Sequence, residues 1–162
     1  MKKILLTSTI LVLIIFQLSC NCTKNAKPTT SNLSFTELKS GNASDYNNAE
    51  TIKINTKEEF KPVWEKCYAK YDRKPALPEI DFNTNMLVVI ALGERNSGGY
   101  SLQVEKVIES KNTITITATE TKPGVNCASA SVMVYPFQII LLPKNNKKVV
   151  VAKNIKINDC GK

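Results

Sequence analysis

Met86-Leu87-Val88-Val89-Ile90-Ala91-Leu92 is a continuous apolar run rich in β-branched residues, and it reads as a strand. Ser101-Leu102-Gln103-Val104-Glu105-Lys106-Val107 follows eight residues later and alternates polar with apolar, the period of a half-buried strand. Between them lies Gly93-Glu94-Arg95-Asn96-Ser97-Gly98-Gly99-Tyr100, with three glycines. Glycine takes positive φ angles that other residues avoid, so this loop can bend in ways that present its side chains. Most glycine loops are plain turns, and spacing alone does not separate the two uses.

The rest of the chain reads as scaffold around that loop. Phe35 and Leu38 open the folded part, and Ser40 to Asp45 is a turn or exposed loop. Thr51 to Asn55, with Ile52 and Ile54 on one side, is a short strand. Thr56 and Glu59 then form a capping-box pair. Phe60, Val63, Trp64, Cys67, Tyr68 and Tyr71 recur at helical spacing, which marks one core-facing stripe. Pro62 conflicts with a helix capped by Thr56, so a distorted start or a later N-terminus is expected. Trp64 is read as a core residue.

Pro75 and Pro78 make 73–79 an irregular connection. Beyond strand 100–109 and a turn at Ser110-Lys111-Asn112, residues 113–119 alternate threonine with Ile114, Ile116 and Ala118. Here the threonines face water and the apolar residues face the core. Thr121 to Cys127 is a second Pro/Gly loop. Ala130 to Leu142 is a long extended run broken by Pro136, which suggests a bulge or a bend at an edge. Residues 148–151 make the last strand. The sum is an α+β fold: an antiparallel sheet of five or six strands, mostly in hairpin order, with one covering helix.

The first nineteen residues stand apart. Lys2-Lys3 precede an apolar stretch from Ile4 to Phe16, then Gln17-Leu18-Ser19-Cys20. This has the form of a bacterial lipoprotein signal, with Cys20 as the lipidated residue, although Gln17 stands where an aliphatic residue is usual. Cys22 fits less well because Asn21 precedes it. The apolar run is short for a span of about 20 residues, so a lipid anchor is the expectation. Residues 20–33 are polar and rich in Pro, Thr and Ser, and are expected to be a flexible tether. The bacterial cell envelope is the expected location.

Removing residues 1–19, which carry Lys2 and Lys3 and no acid, lowers the net charge from +8 to +6. The lysines are scattered, and the only arginines are Arg73 and Arg95. With an export signal and no basic stripe, nucleic-acid binding is disfavoured. With Cys20 lipidated and Cys22 in the tether, Cys67, Cys127 and Cys160 allow one bridge, and the sequence does not choose the pairing. A bridge to Cys22 stays open as well.

Chemistry is hard to find. The chain has no histidine, so the usual serine and cysteine triads are unavailable. No Ser-x-x-Lys precedes a suitable helix, and no carboxylate pair has glycosidase-like spacing. Nothing near Cys127 in sequence would activate its thiol, so a structural bridge is the better reading. Without histidine or a CxxC, no metal or cofactor is expected. The chain reads as non-catalytic.

Several pieces, in order, resemble the C-terminal domain of the protease complex subunit PrcB family. They are Ile80-Asp81-Phe82, the strand 86–92 ending at Gly93, Ser97-Gly98-Gly99-Tyr100-Ser101 and the alternating strand after it. Glu120-Thr121-Lys122-Pro123-Gly124 with Cys127, and Tyr135-Pro136 followed by Ile139 to Lys144, continue the series. Phe60-x-x-x-Trp64 upstream is also similar. The resemblance spans residues 80–143 and implies that 34–162 is one domain of an exported, often lipid-anchored, non-catalytic type. It further implies association with a secreted subtilisin-like protease. Under it, Ser97, Gly98, Gly99, Tyr100, Pro123 and Gly124 become the expected partner-binding loops. Tyr100 would either anchor its loop in the core or offer an aromatic contact. Whether the two loops lie side by side is left open. A protease inhibitor, or a small-molecule or glycan module using Trp64, Tyr68 and Tyr100, are the alternatives.

Overall fold

The computed structural model describes residues 30–160. The expected signal segment, Cys20, Cys22 and most of the expected tether lie outside the described residues. Within them, eight strands and one helix run in the order β1 (Ser31–Asn32), β2 (Thr36–Gly41), β3 (Glu50–Ile54), α1 (Lys57–Cys67), β4 (Asn85–Ala91), β5 (Ser101–Glu109), β6 (Thr113–Pro123), β7 (Phe137–Pro143) and β8 (Lys148–Asn158).

The strands form two four-stranded sheets, ordered β1-β5-β6-β8 and β2-β7-β4-β3, which replaces the single sheet of five or six strands expected from hairpin order. The chain leaves the first sheet after β6, runs through β7 in the second, and comes back at β8, which lies beside β6 in the same direction. That pair is parallel, from Thr113↔Lys148 to Pro123↔Asn158 without a break. The remaining ladders are antiparallel. Ser31–Asn32, within the stretch read as tether, pairs with Ile108 and Glu109.

The β2-β7-β4-β3 sheet is the middle layer. Met86, Val88, Ile90, Ile140 and Leu142 point from it toward Leu102, Val104, Ile114 and Ile116 of the outer sheet. Leu87, Val89, Ala91, Phe137 and Ile139 point the other way, toward the helix. This double burial explains why strand 86–92 is apolar throughout: neither face of β4 meets water. In β6, Ile114, Ile116 and Ala118 are fully buried as expected, but the threonines do not simply face water: Thr113, Thr115 and Thr117 are half-buried and Thr119 is buried.

Helix α1 starts where its cap signals place it. The Thr56 side chain accepts from Glu59 N at 3.2 Å, and Glu59 Oε2 accepts from Asn55 N at 2.7 Å. Pro62 sits inside the helix, with neither the distorted start nor the later N-terminus expected of it. Its missing N–H leaves the Glu58 carbonyl without a helical donor, but Glu58 is exposed and solvent serves instead. Phe60, Trp64, Cys67 and Tyr68 are buried against the middle sheet, each large side chain contributing about 1.5–3 kcal/mol. Trp64 Nε1 donates to Pro75 O at 3.1 Å, tying down the proline-rich connection.

Pro136 marks no bulge. It immediately precedes β7, a central strand, and its carbonyl accepts from Leu92 N at 2.9 Å. The residues before it make only isolated bridges, Ala43↔Tyr135 and Arg95↔Val134.

Candidate docking end

The turns that follow β2, β4 and β6, together with the end of β8, all emerge at one end of the sandwich, because the registers put Gly41 beside Phe137, Glu50 beside Ala91, and Pro123 beside Asn158. The two glycine loops, 93–100 and 121–127, therefore meet. Gly99 has φ +86°, and a Cβ there would stand 3.3 Å from Pro123 Cβ. Gly98 N donates to Ala130 O at 2.8 Å. The loops lie side by side, and the six residues expected to form a docking surface are brought together.

This end is held on every side. Gly93, φ +80°, lies so close to Asn48 that a Cβ would stand 2.7 Å from its carbonyl carbon, and Glu94 N donates to Asn47 O at 3.1 Å. Arg95 and Val134 exchange both backbone hydrogen bonds, at 2.8 and 2.9 Å. Tyr135 OH donates to Glu94 Oε2 at 3.0 Å. Gly124 N donates to Asn158 O at 2.9 Å, and a Cβ at Gly124 would stand 2.9 Å from that same backbone oxygen.

At the centre is a pair that sequence reading missed. Arg95 Nε and Nη2 donate to the two carboxylate oxygens of Glu120, at 2.8 and 3.2 Å. The Glu120 side chain is 5% exposed and that of Arg95 21%. These hydrogen bonds hold the Glu120 carboxyl below its usual range, against the opposing effect of burial. The signal was present: Glu120 continues the inward series Ile114, Ile116, Ala118, and a carboxylate on a core face requires a partner. Arg95, one of two arginines and set in the glycine loop, was the available cation.

Tyr100 neither fills the core nor stands free. It is half-buried, with the Arg95 guanidinium 5.9 Å from its ring centroid. Trp64 and Tyr68 lie in the helix-side core and present no ring at this end. The exposed apolar side chains Val125, Val132, Met133, Ile155 and Ile157 instead stand on the converging segments.

The bridge is Cys127–Cys160, which ties the second loop to the end of β8. Cys67, an equal candidate by sequence, is free and buried in the helix-side core, where burial pushes its thiol up to about 12. Among the described residues no group of three or more His, Cys, Asp or Glu side chains could hold a metal ion. The same residues contain no helix long and apolar enough to cross a membrane.

Comparison with known proteins adds one finding. Residues 86–143 match the family model described as PrcB C-terminal, from β4 through β7. No curated protein and no solved structure gives a significant match. The matched segment contains Arg95, Glu120, both loops and the strands that carry them, so the likeness to a PrcB C-terminal domain covers the candidate site together with its scaffold.

Proposed function

We propose that this protein is a non-catalytic, lipid-anchored envelope domain that binds and stabilises an exported protein partner through the end built by loops 93–100 and 121–134. A secreted subtilisin-like protease is the partner class that the PrcB-type domain suggests. The observation that carries the reading is the convergence of Ser97, Gly98, Gly99, Tyr100, Pro123 and Gly124 on one braced surface rimmed by exposed Val132 and Met133. Apolar side chains on a preorganised surface lose little entropy on docking, which is what a protein interface needs. Lys2-Lys3, the apolar stretch to Phe16 and Ser19-Cys20 support export with lipidation at Cys20. The Cys127–Cys160 bridge fits an oxidising compartment.

The test is functional. Purified domain added to the recovered protease is expected to slow its thermal inactivation and leave its activity intact. A rise in KM relieved by changing residues 97–100 would establish inhibition instead. Replacing Cys20 with serine is expected to release the protein from the membrane fraction.

A further inference from the structure

Of the four sheet edges among the described residues, three are blunted. β1 covers only the Glu109 end of β5, but the rest of that edge is bent by a register shift between Val104 and Lys106, and Val104 N is taken by Gln138 Oε1 at 2.6 Å. β2 carries a register shift between Glu37 and Lys39, and β3 is five residues long. β8 differs: it is eleven residues long, contains no proline, and keeps an unbroken register with β6.

The direction of its free groups follows from the ladder. Lys148 N donates to Asn112 O at 3.2 Å, and Asn158 O accepts from Gly124 N at 2.9 Å. Even-numbered residues of β8 therefore turn their backbone groups toward β6. Those of Val149, Val151, Lys153, Ile155 and Ile157 turn outward, a row of free donors and acceptors that can template another strand.

Beside this edge, between β8 and β3, opens a groove of about 400 Å³ lined by Glu50, Thr51, Ile90, Ala91, Val149 and Lys153. Ile155 and Ile157, 62% and 65% exposed, continue the face that Val149 and Val151 bury lower down. Ile157 Cγ2 also lies 3.4 Å from the position of a Gly124 Cβ, so this edge runs into the docking end.

We propose that the free edge of β8 docks an extended, acidic segment of the partner protein, which adds to the outer sheet as a further strand. The argument for the occupant is charge. Lys148 and Lys153 line the groove, where Glu50 is already paired with Lys66 at 3.6 Å, and Lys156 lies on the opposite face, so an incoming strand meets cations on both faces. Glu120, the carboxylate beside Ile155 in the ladder, is already paired with Arg95. A second copy of β8 would set lysine against lysine, whereas acidic side chains relieve the repulsion. Ser31–Asn32, the first of the described strands, pairs at the opposite edge of this sheet. The inference rests on the protein-binding reading but needs no knowledge of the partner.

The test titrates full-length protein with a synthetic peptide as long as β8, alternating valine with glutamate and threonine. Controls replace its glutamates by lysine or place a proline at its centre. Binding of the acidic peptide, with slowed amide exchange at residues 149, 151, 153, 155 and 157, supports the proposal. Lys153→Glu with Lys156→Glu is expected to weaken that binding by about tenfold or more, with even-numbered amides still protected as proof of an intact sheet. Ile155→Pro removes one outward amide and spares the β6 ladder, and is expected to weaken binding too. Equal binding of the lysine or proline peptide, protection elsewhere, no binding at millimolar peptide, or self-association through β8 would each overturn it. Loop substitutions at Val132 and Met133 leave this peptide binding unchanged, so failure of the loop reading and of the edge reading are told apart.

Discussion

Gln138 on β7 reaches across the sandwich to Val104 on β5: its Oε1 accepts from Val104 N at 2.6 Å, while its Nε2 donates to Glu37 Oε2 at 2.7 Å. It is fully buried and sits where β5 shifts register, supplying the hydrogen bond that the irregular ladder does not. Gln138→Leu leaves the Val104 amide buried without a partner and is expected to cost about 1–3 kcal/mol. Urea unfolding, set against Glu37→Gln as a milder control, measures it.

The Arg95–Glu120 pair braces the end of the sandwich where the two glycine loops meet. Arg95→Ala leaves Glu120 as an uncompensated buried carboxylate and is expected to destabilise by about 3–5 kcal/mol. The double change Arg95→Met with Glu120→Leu is expected to restore most of that, and a double-mutant cycle reads the coupling.

The same pair sets an acid limit. Because the folded Glu120 carboxyl lies below its ordinary value of 4.5, its contribution is fully present above that pH and is lost as pH falls through the lower folded value. Melting temperature is expected to drop more steeply below pH 4.5 in the native protein than in Glu120→Gln.

Gly99→Val places a β-branched residue at φ +86° with its Cβ 3.3 Å from Pro123. The expected cost is about 1–3 kcal/mol, against nearly nothing for exposed Asn96→Ala. Partner binding should fall with the first and persist with the second, which equilibrium binding of both variants checks.

The three cysteines of the folded part separate cleanly by chemistry. Cys160→Ser opens a bridge spanning 33 residues and is expected to lower stability by about 3–4 kcal/mol, freeing the end of β8. Cys67, its thiol at about 12, is expected to resist alkylation at pH 8 until the protein unfolds.

Much of the fold was legible because local pattern carried it. The alternation at 113–119 and the stripe from Phe60 to Tyr68 reflect one face buried more deeply than the other, and the cap at Thr56 reflects local hydrogen bonds. The number of sheets was not legible. The unbroken apolar run of β4 told of burial on both faces, but no local signal says that β7 joins a different sheet from β6 and β8. β8 extends from 148 to 158, beyond the expected 148–151, because its far half is held by the β6 ladder and not by core burial. The loop residues proposed for the site rest on their glycines and proline, whose closeness the structure shows. Arg95 and Glu120, 25 residues apart, needed the β6 period to be read as a constraint on a charge.

The most direct measurement is purification of the full-length protein from native membranes after mild cross-linking, beside a variant with Val132 and Met133 changed to lysine. A secreted subtilisin-like protease is expected in fixed proportion with the native protein, and its loss with the variant. Recovery of the native protein alone, or of the same partner equally with both, would contradict it.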